Sequence, residues 1–137
     1  MPRMTPSQLD AFLARPLVAV LTTLLPDGAL HSTPVWHEYD EGKFYVWVGS
    51  HSVKARNVAR HGSASLCVAT HEQPYQYVSA EGPCAIVTHD LAERCLSICR
   101  RYYSEAAAQA FVREDLLSGD SVILVLTPRK LLSERSA

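Results

Sequence analysis

The sequence lacks the signatures of several large functional classes. It contains no G-x-S-x-G, H-E-x-x-H, P-loop or G-x-G-x-x-G motif, so motif-borne hydrolase, zinc, nucleoside triphosphatase and dinucleotide-binding functions find no support. The formal net charge of -1 over 137 residues argues against a general binder of nucleic acid or of an anionic membrane, since such proteins usually carry a basic surplus. Any anion site in this chain is therefore local.

Long apolar runs are also absent. The longest, Pro16 to Pro26, is interrupted by Thr22 and Thr23 and is too short to cross a bilayer. The N-terminus shows no basic region followed by an apolar segment and a small-residue cleavage site, so no secretory signal is predicted. These features predict a cytoplasmic protein that does not associate with membranes.

The four cysteines form no C-x-x-C pair. Cys95 and Cys99 lie one helical turn apart on an apolar stripe, and Cys67 and Cys84 lie in predicted strands. All four are predicted to be small buried hydrophobic residues in a reducing compartment. A redox pair between Cys95 and Cys99 is the alternative.

The stretch from Ser50 to Arg60, S-H-S-V-K-A-R-N-V-A-R, follows an aromatic-rich strand and is typical of the start of a helix. Ser50 and Ser52 supply cap-type hydroxyls, and Ser52 stands where an N-cap residue belongs. The free N–H groups of the next three residues would then point outward together at the positive end of the helix dipole. This arrangement suits a phosphate group.

Lys54 and Arg56 support the same interpretation. A cation this close to a helix N-terminus is unfavourable by roughly 0.3 to 1 kcal/mol, and a bound anion would remove that conflict. Lys54 and Asn57 are three residues apart and lie on one helical face, so they would hold one phosphate from two sides. The alternative is an ordinary solvated basic face.

The order of elements predicts one α+β domain over residues 1–137, without a repeat or linker. Six mostly antiparallel strands with peripheral helices are expected to form a barrel. The predicted strands cover residues 17–25, 29–39, 43–49, 64–70, 75–87 and 121–126. The predicted helices begin at the caps Thr5, Ser52, Asp90 and Ser104.

Two prolines mark irregularities in these strands. Pro34 removes a ladder donor from the strand over 29–39, which leaves nearby carbonyl groups and Trp36 available to a ligand. A plain edge strand with a core tryptophan is the alternative. Glu81-Gly82-Pro83 has the composition of the sharp bend that a small barrel needs at a corner.

Few side chains suggest chemistry of their own. His31 and His37 share one predicted strand face but have no cysteine or carboxylate at ligand spacing, which favours polar surface or pocket lining over a metal site. Glu81 is an acid or base candidate, although a carboxylate beside a Gly-Pro bend is usually structural. No nucleophile is evident and no catalytic residue is assigned. A phosphate cradle among aromatic residues suits a bound cofactor that supplies the chemistry itself.

Three blocks of the sequence together resemble one family. They are A-V-L-T-T-L-L-P-D-G-A-L-H-S-T-P-V-W from Ala19 to Trp36, S-V-K-A-R-N-V-A-R from Ser52 to Arg60, and Y-V-S-A-E-G from Tyr77 to Gly82. The combination is similar to the pyridoxamine 5'-phosphate oxidase-like split β-barrel superfamily, and within it to the flavin and deazaflavin oxidoreductase branch. Some relatives have an arginine where this sequence has Ser52, and the family's D-P after the basic helix is His61-Gly62 here.

The resemblance implies a homodimer with two cofactor sites at the subunit interface. The cofactor is FMN or the deazaflavin coenzyme F-420, and the P-V-W and K-A-R-N forms favour F-420. Lys54 and Asn57 would bind its phosphate with help from Ser50, Ser52 and Arg56. Its ring would lie along Pro34, Val35 and Trp36, and Tyr75 and Tyr77 would reach the neighbouring subunit's site.

The implied reaction is hydride transfer from the reduced ring to a small conjugated acceptor, with solvent or a tyrosine as the proton source. Two other functions stay open at this point. One is a flavin carrier or sensor without turnover, and the other is a haem-binding split barrel with His31 or His37 as an axial ligand. The identity of the substrate is not predicted.

Overall fold

The computed structural model describes residues 2–136 and confirms the predicted α+β class. Its helices are α1 Pro6–Leu13, α2 Val53–His61, α3 Ala92–Arg100 and α4 Glu105–Ser118. Its strands are β1 Ala19–Leu24, β2 Leu30–Val35, β3 His37–Asp40, β4 Lys43–Gly49, β5 Ser63–Ala69, β6 Gln76–Val87, β7 Ser121–Leu126 and β8 Lys130–Arg135.

The described chain has eight strands where six were predicted. The strand predicted over 29–39 divides at Trp36, because β2 pairs with β1 as far as Val35 and β3 pairs with β4 from His37 onward. The segment after Pro128, predicted to be a polar end, instead forms β8 and pairs with β6. That pairing is non-local, so no local pattern in the sequence indicates it.

The strands form two curved antiparallel sheets that share β6. The first sheet contains β2, β1, β5, β8 and the first part of β6, and the second contains β3, β4, β7 and the end of β6. The helix α2 contacts both sheets. Main-chain pairing therefore continues from one sheet to the other through a single strand.

Gly82 marks the point where β6 changes partners. Pairing with β5 ends at Pro83, and pairing with β7 begins at Cys84. A Cβ atom at position 82 would lie 2.7 Å from the backbone nitrogen of Arg129 and closer still to the carbonyl oxygen of Thr127. The predicted corner is therefore present, but as a continuous strand that crosses between sheets and has room only for glycine.

Three of the four helices begin at the N-cap residue that the sequence predicts. Thr5 forms the predicted capping box with Gln8, and Ser52 and Ser104 cap α2 and α4 through their hydroxyls. The capping box predicted at Asp90 is wrong, because Asp90 adopts a positive φ of 56° and α3 begins at Ala92 without a side-chain cap. The turn that leads from β6 into α3 takes precedence over the local cap.

Two hydrophobic cores stabilise the fold. The first fills the barrel between the sheets, around Phe44, Leu21 and Leu66. The second lies on the outer face of the second sheet, where α3 and α4 pack Ile98 and Val112 against it. No helix of the described chain is long and apolar enough to cross a membrane.

Within the described residues, nothing covers the outer face of the first sheet, which is bare. Three of its large apolar side chains are exposed, namely Val20, Leu30 and Leu132, as is Val18 just before β1. The cross-strand register places Val20 opposite both Pro34 and Cys67, and it continues through Ser79 to Leu132. We call this cross-strand row, Pro34, Val20, Cys67, Ser79 and Leu132, the outer row.

Three of the four cysteines are buried as predicted, whereas Cys67 is exposed on this bare face. Burial, together with the negative charge of Asp115, raises the pKa of Cys95 to about 12 and that of Cys99 to about 11. Both thiols therefore stay protonated at neutral pH, which disfavours the redox pair.

Candidate cofactor site

A cleft of about 360 Å³ opens where the ends of β2 and β4 meet the start of α2 and the inner side of α4. It brings together four residues singled out from the sequence: Pro34, Val35, Trp36 and Lys54. The remaining lining residues are Trp47, Val48, Gly49, Phe111, Asp115, Asp120 and Ser121. The cleft thus joins the proposed ring-binding and phosphate-binding segments in one place.

The start of α2 has the geometry of an anion site. Ser52 caps the helix by accepting a hydrogen bond from the Ala55 N–H at 3.2 Å, and its hydroxyl donates to the Gly49 carbonyl at 2.7 Å. Within residues 2–136, the N–H groups of Val53 and Lys54 donate to no protein group, and Lys54 forms no ion pair. These two N–H donors and one ammonium group are available to a ligand.

Asn57 occupies a different position from the one expected. Its side chain is buried, donates to the Thr23 hydroxyl at 3.0 Å and accepts from the Arg60 guanidinium at 2.6 Å. Arg60 also donates to the carbonyl of Leu24 at 2.8 Å. In this structure Asn57 therefore connects α2 to β1, with its amide engaged on both sides.

The other predicted ligands lie around the cleft rather than in it. The Ser50 N–H donates to the Asp120 carbonyl at 2.8 Å, which joins the start of the α2 turn to the start of β7. Arg56 is exposed on α2, and Tyr75 is exposed just before β6. Tyr77 lies in the first sheet opposite Ala69 and Glu134. Neither tyrosine lines the cleft of its own chain.

Trp36 forms part of the cleft wall and is fixed by aromatic neighbours. The Tyr102 ring stacks on the indole with centroids 4.7 Å apart and planes 7° apart. Tyr103 contacts it edge-on at 4.9 Å. Phe111 meets Trp47 edge-on at 5.4 Å and Tyr103 at 5.7 Å. The cleft lining therefore includes three aromatic rings, Trp36, Trp47 and Phe111, which suit a planar ring.

Sequence reasoning missed the contribution of α4 and the start of β7. Phe111, Asp115, Asp120 and Ser121 come from a region with no recognisable motif, more than fifty residues beyond Lys54. Asp115 accepts a hydrogen bond from the Ser121 hydroxyl. The cleft thus contains two carboxylates and one ammonium group, and its lining residues include no histidine, cysteine or tyrosine.

The histidine and glutamate candidates lie elsewhere. His31 and His37 belong to different strands, and within residues 2–136 no three metal-ligating side chains gather into a site. His37 is fully buried, and burial, with a contribution from Arg101, lowers its pKa to about 3. Glu81 faces Arg129 at 3.3 Å on the outside of the first sheet.

A second, larger cleft of about 490 Å³ adjoins the first across Asp115 and Ser121. It lies between the start of α3 and the end of α4 and is lined by polar residues such as His89, Asp90 and Glu93. None of the residues expected from the sequence to bind a cofactor lines it.

Comparison with known structures supports the fold. A conserved hypothetical protein from Mycobacterium tuberculosis has 24% identity and a TM-score of 0.83, with 96% of this chain and 85% of that chain covered. An F-420 reductase has 22% identity and a TM-score of 0.71, over 89% and 94% of the two chains. An FAD-binding protein from Mesorhizobium loti has 14% identity and a TM-score of 0.70, over 99% and 98%.

The family assignment comes from the sequence of nearly the whole chain. A search of curated proteins finds no match. The family model described as pyridoxamine 5'-phosphate oxidase, however, matches residues 5–133, which include the whole cleft and end within β8. The chain therefore belongs to the pyridoxamine 5'-phosphate oxidase-like split-barrel superfamily.

Proposed function

We propose that this protein is a flavin- or deazaflavin-dependent oxidoreductase that transfers a hydride to a small conjugated acceptor. One observation carries the proposal: Lys54, which has no ion pair in the described structure, lines the same cleft as Pro34, Val35 and Trp36. A cleft of about 360 Å³ lies within the range of small-molecule sites, roughly 300 to 1,000 Å³.

The residues at the two ends of the cleft fit a phosphate-bearing ring compound. At one end, Lys54 and the free N–H groups of Val53 and Lys54 would hold the phosphate, with Ser52 keeping that turn in place. Along the cleft, Pro34 to Trp36 and the Trp47 and Phe111 rings would hold and partly desolvate the planar ring. The bound cofactor would supply the hydride chemistry.

In this proposal Asn57 acts indirectly. Its hydrogen bonds to Thr23 and Arg60 hold α2 against β1, so it would orient the Lys54 turn rather than contact the phosphate. Ser50 has a comparable role through its backbone bond to Asp120. Arg56 is exposed and would strengthen anion binding from the solvent side.

The similar structures support a flavin-type cofactor in general, since they include an F-420 reductase and an FAD-binding protein. Between the two candidates we favour coenzyme F-420 over FMN, on the P-V-W and K-A-R-N motifs at Pro34 to Trp36 and Lys54 to Asn57.

A homodimer is part of the same proposal. The bare outer face of the first sheet exposes Val20 and Leu132, and its outer row ends at Pro34, which also lines the cleft. A second copy packed on this face would therefore border the cleft. Tyr75 and Tyr77, which do not line the cleft of their own chain, would then be placed to approach the partner's site.

The test is a titration of the purified protein with FMN and with coenzyme F-420, followed by fluorescence and absorbance. We expect Lys54→Ala to raise the dissociation constant about tenfold, or about 1.4 kcal/mol, because it removes the unpaired ammonium group. Lys43→Ala, at an exposed position at the start of β4, is the matched control and should bind normally. Normal binding by Lys54→Ala would remove the phosphate assignment.

A cofactor carrier or sensor without turnover is the second candidate. It is favoured by the absence of histidine, cysteine and tyrosine from the residues that line the cleft, which leaves Asp115 and Asp120 as the titratable groups beside Lys54. Turnover with reduced cofactor and a panel of conjugated acceptors distinguishes the two. Binding without any turnover would establish the carrier.

A further inference from the structure

Between Leu30 and Asp40, Trp36 is the one residue that is not paired with a neighbouring strand. The β1–β2 register ends at the pair Ala19 and Val35, and the β3–β4 register begins at the pair His37 and Val46. Strand pairing therefore fixes the residues before and after Trp36 but not Trp36 itself. The orientation of its indole depends on side-chain contacts, of which the parallel stack with Tyr102 is the closest.

Tyr102 is itself held at its hydroxyl. The hydroxyl donates to the Leu17 carbonyl at 2.9 Å and accepts from the His37 N–H at 3.3 Å. It also lies 3.4 Å from His37 Nδ1. One phenol group thus joins the segment before β1, the first residue of β3 and the ring of Trp36.

The neighbouring residues keep this junction rigid. The Arg101 guanidinium donates to the carbonyls of Leu13 and Arg15 at 3.2 and 2.9 Å, which ties the end of α3 to the end of α1. His37 is fully buried, and its Nε2 atom has no hydrogen-bond partner in the described structure. A neutral His37 that donates from Nδ1 to the Tyr102 oxygen is the tautomer that fits this environment.

We propose that Tyr102 is a positioning residue for the cofactor cleft. Its ring stacks on Trp36 and sets the plane of that indole, and its hydroxyl holds the Tyr102 ring in place. This inference rests on the proposed function, because it gives Trp36 the role of a wall for the cofactor ring. Tyr102 does not line the cleft and acts only through Trp36.

Two substitutions separate the stacked ring from the hydroxyl. Tyr102→Leu removes the ring, and we expect the dissociation constant for the cofactor to rise about tenfold. Tyr102→Phe keeps the ring and removes only its anchor, so we expect a rise of about threefold. Tyr103→Phe is the control for Tyr102→Phe, because it keeps the ring that contacts Trp36 and Phe111 and removes a hydroxyl that forms no hydrogen bond in the described structure. It should bind like the wild type.

A spectroscopic readout distinguishes positioning from general stability. The sequence has two tryptophans, so Trp47→Phe leaves Trp36 as the single indole fluorophore. In that background Tyr102→Leu should change the near-ultraviolet circular dichroism and raise the mobility of the indole seen by fluorescence anisotropy. Ile98→Val, at the buried centre of α3, loosens the same layer and should lower the melting temperature while leaving both Trp36 signals and the dissociation constant unchanged.

The outcomes separate the two proposals. If the wild type binds neither FMN nor coenzyme F-420, the proposed function fails and the positioning role at a cofactor fails with it. If the wild type binds and Tyr102→Leu binds equally well, only the positioning role is overturned. A weakened dissociation constant in Ile98→Val as large as that in Tyr102→Leu would also overturn it, since the effect would then follow stability alone.

Discussion

The outer faces of the two sheets differ in whether helices cover them. The second sheet is covered by α3 and α4, which bury Ile98, Cys95 and Val112 against it. The first sheet presents Val20 and Leu132 to solvent, with exposed fractions of 43% and 45%. Exposed apolar faces of this kind are typical of surfaces that pack against another molecule. Within residues 2–136, helices therefore cover the outer face of one sheet only, which is why we propose a second copy for the other.

The covered face should be the more sensitive to truncation. We expect Ile98→Ala to lower the free energy of unfolding by about 2 to 5 kcal/mol, because it leaves a cavity in the core under α3. Leu132→Ala, on the bare face, should cost less than about 1 kcal/mol in the monomer, because the side chain is already half in water. Urea unfolding of both variants at a concentration where the protein is monomeric measures the difference. Equal losses would mean that the bare face is covered within one chain.

The inner side of the second sheet offers a pH-dependent test. His37 has a pKa of about 3 in the folded protein because burial disfavours its charged form, against about 6.5 in the unfolded chain. Its contribution to stability is therefore complete above pH 6.5 and is lost as the pH falls toward 3. Between pH 7 and pH 5 we expect a loss of about 2 kcal/mol, which His37→Gln should not show.

The interval between pH 5 and pH 7 lies above the usual pKa values of carboxylates. We therefore expect His37 to dominate the change in the free energy of unfolding there. Urea unfolding of the wild type and of His37→Gln at several pH values measures the two slopes. Identical slopes would show that His37 is not held neutral inside the barrel.

Charge on the bare face should change assembly more than stability. Val20→Lys places an ammonium group within the outer row, so we expect the dissociation constant of the dimer to rise at least tenfold. The free energy of unfolding of the monomer should change by only about 0.5 kcal/mol. Light scattering after size exclusion measures the mass, and Leu117→Lys, at an exposed position on α4, is the control. A wild-type monomer would refute the homodimer.

The features that sequence alone predicted are those fixed by local contacts. The caps at Thr5, Ser52 and Ser104 involve residues three apart in the chain, and all three are present. A corner at Gly82 was also predicted from its Gly-Pro composition, and the structure has it as the point where the continuous strand β6 changes partners and another backbone leaves no room for a Cβ atom. Lys54, singled out because a cation near a helix start is unfavourable without an anion, lines the cleft, and its role toward a phosphate stays a prediction.

The features that were missed depend on distant partners. β8 exists because Leu132 and its neighbours pair with β6, more than forty residues earlier, and nothing local indicates that pairing. Asn57 was expected to face a ligand, but Thr23 in β1 binds its amide. Phe111 and Asp115 line the cleft because of where α4 packs. The sequence predicts α4 as a helix with an apolar side but does not predict its position.

The sharing of β6 has a consequence for cooperative unfolding. Residues 77–81 of β6 are hydrogen-bonded to β5 on one side and to β8 on the other, and the same strand continues into the second sheet. The two sheets cannot separate from each other without breaking the pairing of this strand. The amide protons of its paired segment should therefore exchange with solvent only when the whole domain unfolds, and the two sheets should lose protection together.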